Sequence, residues 1–292
     1  MAVSQSDDSG FFAVQKFFPV FDSKEACIVF AARRGSDWQV NKVLDAPYVH
    51  RFDIVNNKTG RYLLIAQLTR GKQYREDWSQ AGSVYFVKLN ENNRPCSEPM
   101  YVIDEIHKNH GYHRCVLGGK EAALISGAEG MYAIYIDESN PPKNWTIDRL
   151  ISREVSDMFV YDLDGDGEDE IVTIEGFHGD SLIVNKLISG KWEPVYAEKI
   201  WFGHALWAGE LFGIPSIIIG YRRNDCALKI LQKEPGVWKF STRVIESELG
   251  PTNIAVCKKA DCYELLCAGR TVNKGKVYNI KRKGDRADEE DI

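Results

Sequence analysis

Nowhere in this chain do apolar side chains run uninterrupted for the roughly 18 positions that a membrane-crossing helix needs, so no span is expected. The N-terminus, MAVSQSDDSG, lacks the basic start and apolar centre of an export signal. Basic residues are outnumbered, 37 Lys and Arg against 42 Asp and Glu for a formal net charge of -5, and no basic stripe is interleaved with aromatics, which argues against a nucleic-acid partner. Zinc-type spacing is also missing. Of seven cysteines, Cys257, Cys262 and Cys267 come five apart, and Cys27, Cys115 and Cys267 sit in apolar runs, where a thiol packs as a small hydrophobe. An odd cysteine count without an export signal points to a reduced, cytoplasmic location.

What is present is organised around Ser156 to Asp180, SDMFVYDLDGDGEDEIVTIEGFHGD. Asp162, Asp164 and Asp166 stand two apart with Glu170 following, so their carboxylates can converge on a hard cation, and Gly165 and Gly167 allow the positive-φ turning such a loop needs. An EF-hand is excluded, because the twelfth position from Asp162 is Thr173, where a bidentate Glu is required. Apolar β-type runs flank the loop, which therefore reads as a hairpin turn holding a structural calcium.

The strand–turn–strand unit recurs. Trp145, Trp192 and Trp238 are 47 and 46 residues apart, each opening a fourth strand, and Trp38 similarly follows the run Ala26 to Ala32. A period in the mid-forties with four strands per repeat signals a β-propeller of four-stranded antiparallel blades. Runs such as Ile217-Ile218-Ile219 and Tyr62-Leu63-Leu64-Ile65-Ala66 do not alternate, as expected of strands buried on both faces. Residues 1–10 read as a disordered lead-in, 11–282 as one all-β propeller domain and 283–292 as a charged flexible tail. The first blade lacks its innermost strand and the last ends after its third. The count is six blades, or five if the terminal strands merge into one.

Antiparallel strands place the start of each innermost strand and the loop after each second strand at one rim, with the acidic turn at the other. Aligned repeats put His50, His113, Asp157, His204 and Thr252 or Asn253 at equivalent starts converging on the propeller axis, with Arg51 and Arg114 following two of them. Rim loops add Glu129, His178, Asp180, Arg222, Arg223 and Arg270, and Asn109-His110-Gly111-Tyr112 leads into His113. Neutral imidazole serves both as metal ligand and as acid or base near pH 7, so a divalent transition metal or magnesium at this rim is one reading. Plainer readings stand beside it: a His bonded to a neighbouring carbonyl, Arg51 and Arg114 paired with blade carboxylates, and a merely solvated acidic turn.

Asp162 to Glu170 resembles the acidic loop of FG-GAP and VCBS propeller repeats, whereas Asn56 to Gly60, Gly118 to Lys120, Glu210 to Gly213 and Lys258 to Asp261 keep turn character without the triplet. A wider set of segments, namely Tyr48 to Arg51, Glu76 to Gly82, Asn109 to Tyr112, Phe177 to Asp180, Phe202 to Trp207, Gly220 to Arg222 and Gly250 to Asn253, is similar to the propeller part of aldos-2-ulose dehydratase/isomerase. That family dehydrates keto-sugars such as anhydrofructose and osones. Its further β domains for isomerisation have no room here, so the resemblance implies dehydration alone, with a small keto-sugar as partner. The chemistry is an elimination beside a carbonyl. It would use His113 or His204 as base, His50 and His178 as ligands or acid, and Arg51, Arg114, Arg222, His110 and Tyr112 as substrate contacts. The alternatives are a non-catalytic glycan- or protein-binding propeller and a polysaccharide-lyase-like eliminase.

Overall fold

The computed structural model describes residues 3–7, 10–17 and 23–282. Strands dominate because apolar, β-branched and aromatic residues come in short runs between turn residues. In β6 (Gly60–Gln67) every residue from Tyr62 to Ala66 is buried, and in β18 (Ile214–Tyr221) every residue from Ser216 to Tyr221, as in strands covered on both faces. By contrast β4 (Asp37–Asp45), a fourth strand, is largely exposed.

The chain divides into two compact units, Met1–Ser156 and Asp157–Ile292. The first holds three sheets of consecutive antiparallel strands. They are β1 (Val3–Asp7), β2 (Gly10–Gln15), β3 (Cys27–Arg34) and β4; then β5 (Val49–Asn57), β6, β7 (Gly82–Leu89) and β8 (Met100–Ile106); then β9 (Gly111–Leu117), β10 (Lys120–Gly127), β11 (Gly130–Tyr135) and β12 (Thr146–Ile151). The fourth sheet comprises β13 (Val155–Tyr161), β14 (Glu170–Glu175), β15 (Ser181–Ile188) and β16 (Lys191–Lys199). The fifth comprises β17 (Gly203–Leu211), β18, β19 (Leu228–Lys233) and β20 (Phe240–Glu246), and the sixth β21 (Pro251–Lys258), β22 (Tyr263–Gly269) and β23 (Lys274–Ile280). One short 3-10 helix, Pro142–Asn144, interrupts the strands, and no helix among the described residues is long and apolar enough to cross a membrane.

Apolar clusters join consecutive sheets within each unit. In the first, Phe12, Ile28, Leu63 and Ile65 form one cluster and Leu64, Phe86, Ile125, Ile134 and Trp145 another. In the second, Val172, Ile174, Ile217 and Ile219 pack together, as do Ile218, Leu228, Leu249 and Leu265. Each such buried aliphatic side chain contributes about 1.5–3 kcal/mol. Trp145 belongs to this packing, with its ring 5.1 Å from Phe86, whereas Trp38 is half exposed on β4.

The architecture is a six-blade β-propeller, each blade a three- or four-stranded antiparallel meander. The five-blade alternative is set aside, and the last blade does end at its third strand among the described residues. One expectation is corrected at the start of the chain. Val3–Asp7, read as lead-in, forms β1 and supplies the strand the first blade was thought to lack. Its polar sequence, VSQSD, hides it from any apolar pattern. The 283–292 tail lies outside the described residues.

Candidate functional site

Three of the first strands share an irregularity near their starts. Pairing passes from Val49–Gln67 to Arg51–Ala66 around His50, from Gly203–Tyr221 to Ala205–Gly220 around His204, and from Pro251–Gly269 to Asn253–Ala268 around Thr252. Such bulges re-aim the side chain of the extra residue. Two residues earlier each segment carries a positive φ: Tyr48 at 55°, Phe202 at 63° and Gly250 at 60°. The same mark in the third blade is Lys108 at 53°, which assigns His110, not His113, to this position. The alignment through His113 and Asp157 is corrected accordingly, and Ser156 takes the place given to Asp157.

A repeated hydrogen bond confirms the register. His50 Nδ1 lies 3.0 Å from the His110 carbonyl, His110 Nδ1 2.9 Å from that of Ser156, and His204 Nδ1 2.9 Å from that of Thr252. Each acceptor sits at the equivalent position of the following blade. A carbonyl has no proton to give, so Nδ1 carries the hydrogen and the neutral ring holds its lone pair on Nε2. Metal-ligating histidines are oriented in this way.

In the first unit the His50 and His110 rings lie 4.2 Å apart, and Arg51 Nε donates to the same His110 carbonyl at 3.3 Å. Asn109, fully buried, holds the preceding loop by donating to the Gln67 and Ser83 carbonyls. His107, the histidine outside the proposed rim set, pairs with Glu129 at 2.7 Å.

Two proposed substrate contacts here are engaged by protein carboxylates. Tyr112 donates to Asp53 Oδ2 at 2.5 Å, and Arg114 reaches Asp53 Oδ2 at 3.4 Å, Glu121 Oε1 at 2.8 Å from Nε and the Ile54 carbonyl at 2.9 Å. Together they tie β5 to β9 and β10. Burial, with the Asp53 charge beside it, pushes the Tyr112 phenol well above its usual range. His113 pairs with Leu124 inside β9, and burial lowers its pKa to about 4. It is neutral at pH 7 but a weak base.

The second unit gathers a different set. His178, in the loop after β14 at φ 48°, stacks on Phe202 at 4.6 Å and on His204 at 4.9 Å. A residue held in the left-handed region without glycine's freedom is the kind of strain that clusters at functional sites. One ring nitrogen of His178 and one of His204 lie within 4.8 Å of each other, a pair of imidazole donors that could hold a metal ion. The guanidinium carbons of Arg222 and Arg223 stand 5.1 and 4.7 Å from the Phe202 ring centre. Phe202 was not singled out from the sequence, although its place two residues before His204 follows from the repeat.

The acidic turn between β13 and β14 forms as read, with Gly165 at φ 77° and Gly167 at 91°. Asp162, Asp164 and Asp166 bring one carboxylate oxygen each within 4.8 Å of one another, a group that could hold a metal ion. Lys186, on β15, lies on the same group: its Nζ is 2.7 Å from Asp164, 2.8 Å from Asp166 and 2.8 Å from Glu170. No sequence signal marks Lys186, which is one polar residue in an otherwise ordinary strand.

No protein-family profile matches this chain, and no curated protein does. Solved structures match by shape. A Bacteroides fragilis protein provisionally described as a 6-phosphogluconolactonase is 10% identical over 95% of this chain and 79% of its own, with a TM-score of 0.63. The Dos1 propeller is 9% identical, covering 95% and 66%, at 0.57. Apo AztD from Citrobacter koseri is 13% identical, covering 97% and 72%, at 0.50. At such identities the likeness speaks for the fold alone.

Proposed function

We propose that this propeller is a carbon–oxygen lyase that dehydrates a keto-sugar, with the second unit's His178, His204 and Arg222 as its working groups. The supporting observation is the Nδ1–H bond from His204 to the Thr252 carbonyl, which keeps the ring's lone pair on Nε2 and fixes the ring's orientation. A base so prepared takes the proton from the carbon beside the ketone. The electron pair forms a C=C bond, the C–O bond at the next carbon breaks, and the departing hydroxyl leaves as water after protonation by His178. Arg222, backed by the Phe202 ring, polarises the ketone oxygen. A divalent ion held by His178 and His204 would occupy those same ring lone pairs, and would then supply Lewis-acid polarisation of that oxygen in place of the histidine acid–base pair. His113 is passed over as base because burial has made it too weak. The seven cysteines are unpaired, which supports a reducing compartment such as the cytoplasm.

Incubation with anhydrofructose in deuterated water tests this reading. Growth of enone absorbance, together with deuterium at the carbon beside the ketone in recovered substrate, is the expected result. Binding of the sugar without either signal favours the second reading, a glycan-binding propeller. That reading draws on the same histidine–carbonyl bonds as ties between blades and on the engagement of Arg114 and Tyr112 by Asp53 and Glu121.

A further inference from the structure

We infer that the resident cation of the acidic turn is the ammonium of Lys186, and that it stands in the place of the calcium implied by the resemblance to FG-GAP repeats. The inference is independent of any catalytic role.

Oxygen accounting carries it. Asp162 accepts main-chain N–H groups on both oxygens, from Gly165 at 2.7 Å and Gly167 at 3.0 Å. Asp166 Oδ1 accepts from Glu168 at 2.9 Å and Glu170 Oε2 from Leu163 at 2.8 Å. Three further oxygens point at Lys186: Asp164 Oδ2 at 2.7 Å, Asp166 Oδ2 at 2.8 Å and Glu170 Oε1 at 2.8 Å. An ammonium has three N–H donors, so donors and acceptors match one for one. Calcium, in contrast, takes about six to eight oxygens, and the three that converge here already face the ammonium, whose charge repels a second cation.

Burial makes the pairing necessary. The Glu170 side chain is 0% exposed, and a carboxylate withdrawn from water requires a cation or a proton. Lys186 reaches it from the third strand of the same blade, and its own side chain is only 20% exposed. Burial opposes the ammonium's charge, yet the bonds to Asp164, Asp166 and Glu170 outweigh it and raise the Lys186 pKa above its ordinary value. The hydrogen bond from Lys186 in turn lowers Asp166. The effect is to pin the β13–β14 turn to β15, as a bound metal would.

Calcium chloride is titrated by calorimetry into chelator-treated wild type and Lys186→Met, and both are melted in calcium and in EDTA. Wild type should bind no calcium and melt identically in the two buffers. Lys186→Met, with the ammonium gone and the methylene stem kept, should bind one calcium with a Kd of roughly 10⁻⁵–10⁻³ M, in the range of sensor and extracellular sites, and melt higher in calcium than in EDTA. Stoichiometric calcium binding by wild type, or a melting temperature that falls in EDTA, overturns the inference. So does a folded Lys186→Met protein that stays indifferent to calcium. Should that variant not fold, the wild-type titration alone decides.

Discussion

The imidazole of His178 lies over that of His204, centres 4.9 Å apart and planes 12° from parallel. Neither ring is placed by chance. His204 is anchored through Nδ1 to Thr252, and His178 is carried on a left-handed backbone with Phe202 stacked at 18°.

Replacing His204 by Ala should lower keto-sugar turnover by at least about 100-fold, the usual contribution of a positioned acid or base. The fold loses one hydrogen bond of about 1 kcal/mol, so the melting temperature should drop only about 2–4 °C. Steady-state kinetics beside a thermal melt separates the two effects. Undiminished turnover would remove His204 from the mechanism.

Metal content gives a second check. Protein purified without chelator or affinity histidines should carry no stoichiometric transition metal by elemental analysis, because the ring lone pairs are kept for proton transfer. A metal that His178→Ala and His204→Ala each lose, and that Asp164→Ala leaves in place, would assign the rings to ligation instead.

Acid stability should report on His113. Its folded pKa of about 4 lies below the roughly 6.5 of an unfolded histidine, so between these values the unfolded chain binds more protons and stability falls as pH falls. The loss should be on the order of 2–3 kcal/mol across that window. Urea midpoints at pH 7 and pH 4.5 should therefore converge in His113→Leu relative to wild type. Parallel pH profiles in the two proteins would contradict the assignment.

Arg114→Met should destabilise the protein by about 1–3 kcal/mol, because Asp53 and Glu121, both partly screened by water, are left without their shared cation. A fall of several degrees in melting temperature is expected. A stable variant with only a raised KM would return Arg114 to the substrate.

Arg222→Gln should behave in the opposite way. The residue stands against Phe202 and forms no ion pair with a carboxylate among the described residues, so kcat/KM should fall by at least about 10-fold, the cost of one lost contact of about 1.4 kcal/mol, with kcat carrying part of the loss and the melting temperature unchanged. Titration of the sugar by calorimetry measures the binding share of that loss without turnover.

Much of this was legible in the chain, and what was hidden had reasons. Trp145, Trp192 and Trp238 mark the blades because each stands at or just before a fourth strand. The acidic turn is visible because its ligands are local. The first-strand register was misread by three residues in the third blade, where His113 offered itself as the aligned histidine. The true marker is a left-handed residue at Lys108, and lysine, unlike Gly250, gives no sign of that conformation in sequence. Lys186 was invisible for a related reason. Its partners Asp164 and Asp166 lie 22 and 20 residues away, across a hairpin whose register no pattern of apolar residues specifies.

The bonds from imidazole to carbonyl make each anchored ring a conductor between its two nitrogens. Whatever engages Nε2, whether proton or metal, draws electron density through the ring and leaves the Nδ1 hydrogen more acidic, so its grip on the next blade's backbone tightens. At His204 that backbone is Thr252, the bulged residue of β21, beside Asn253, which pairs with Ala268. Occupancy at the ring would therefore be felt as slower amide exchange one blade away, a mechanical signature of binding that needs no knowledge of the substrate.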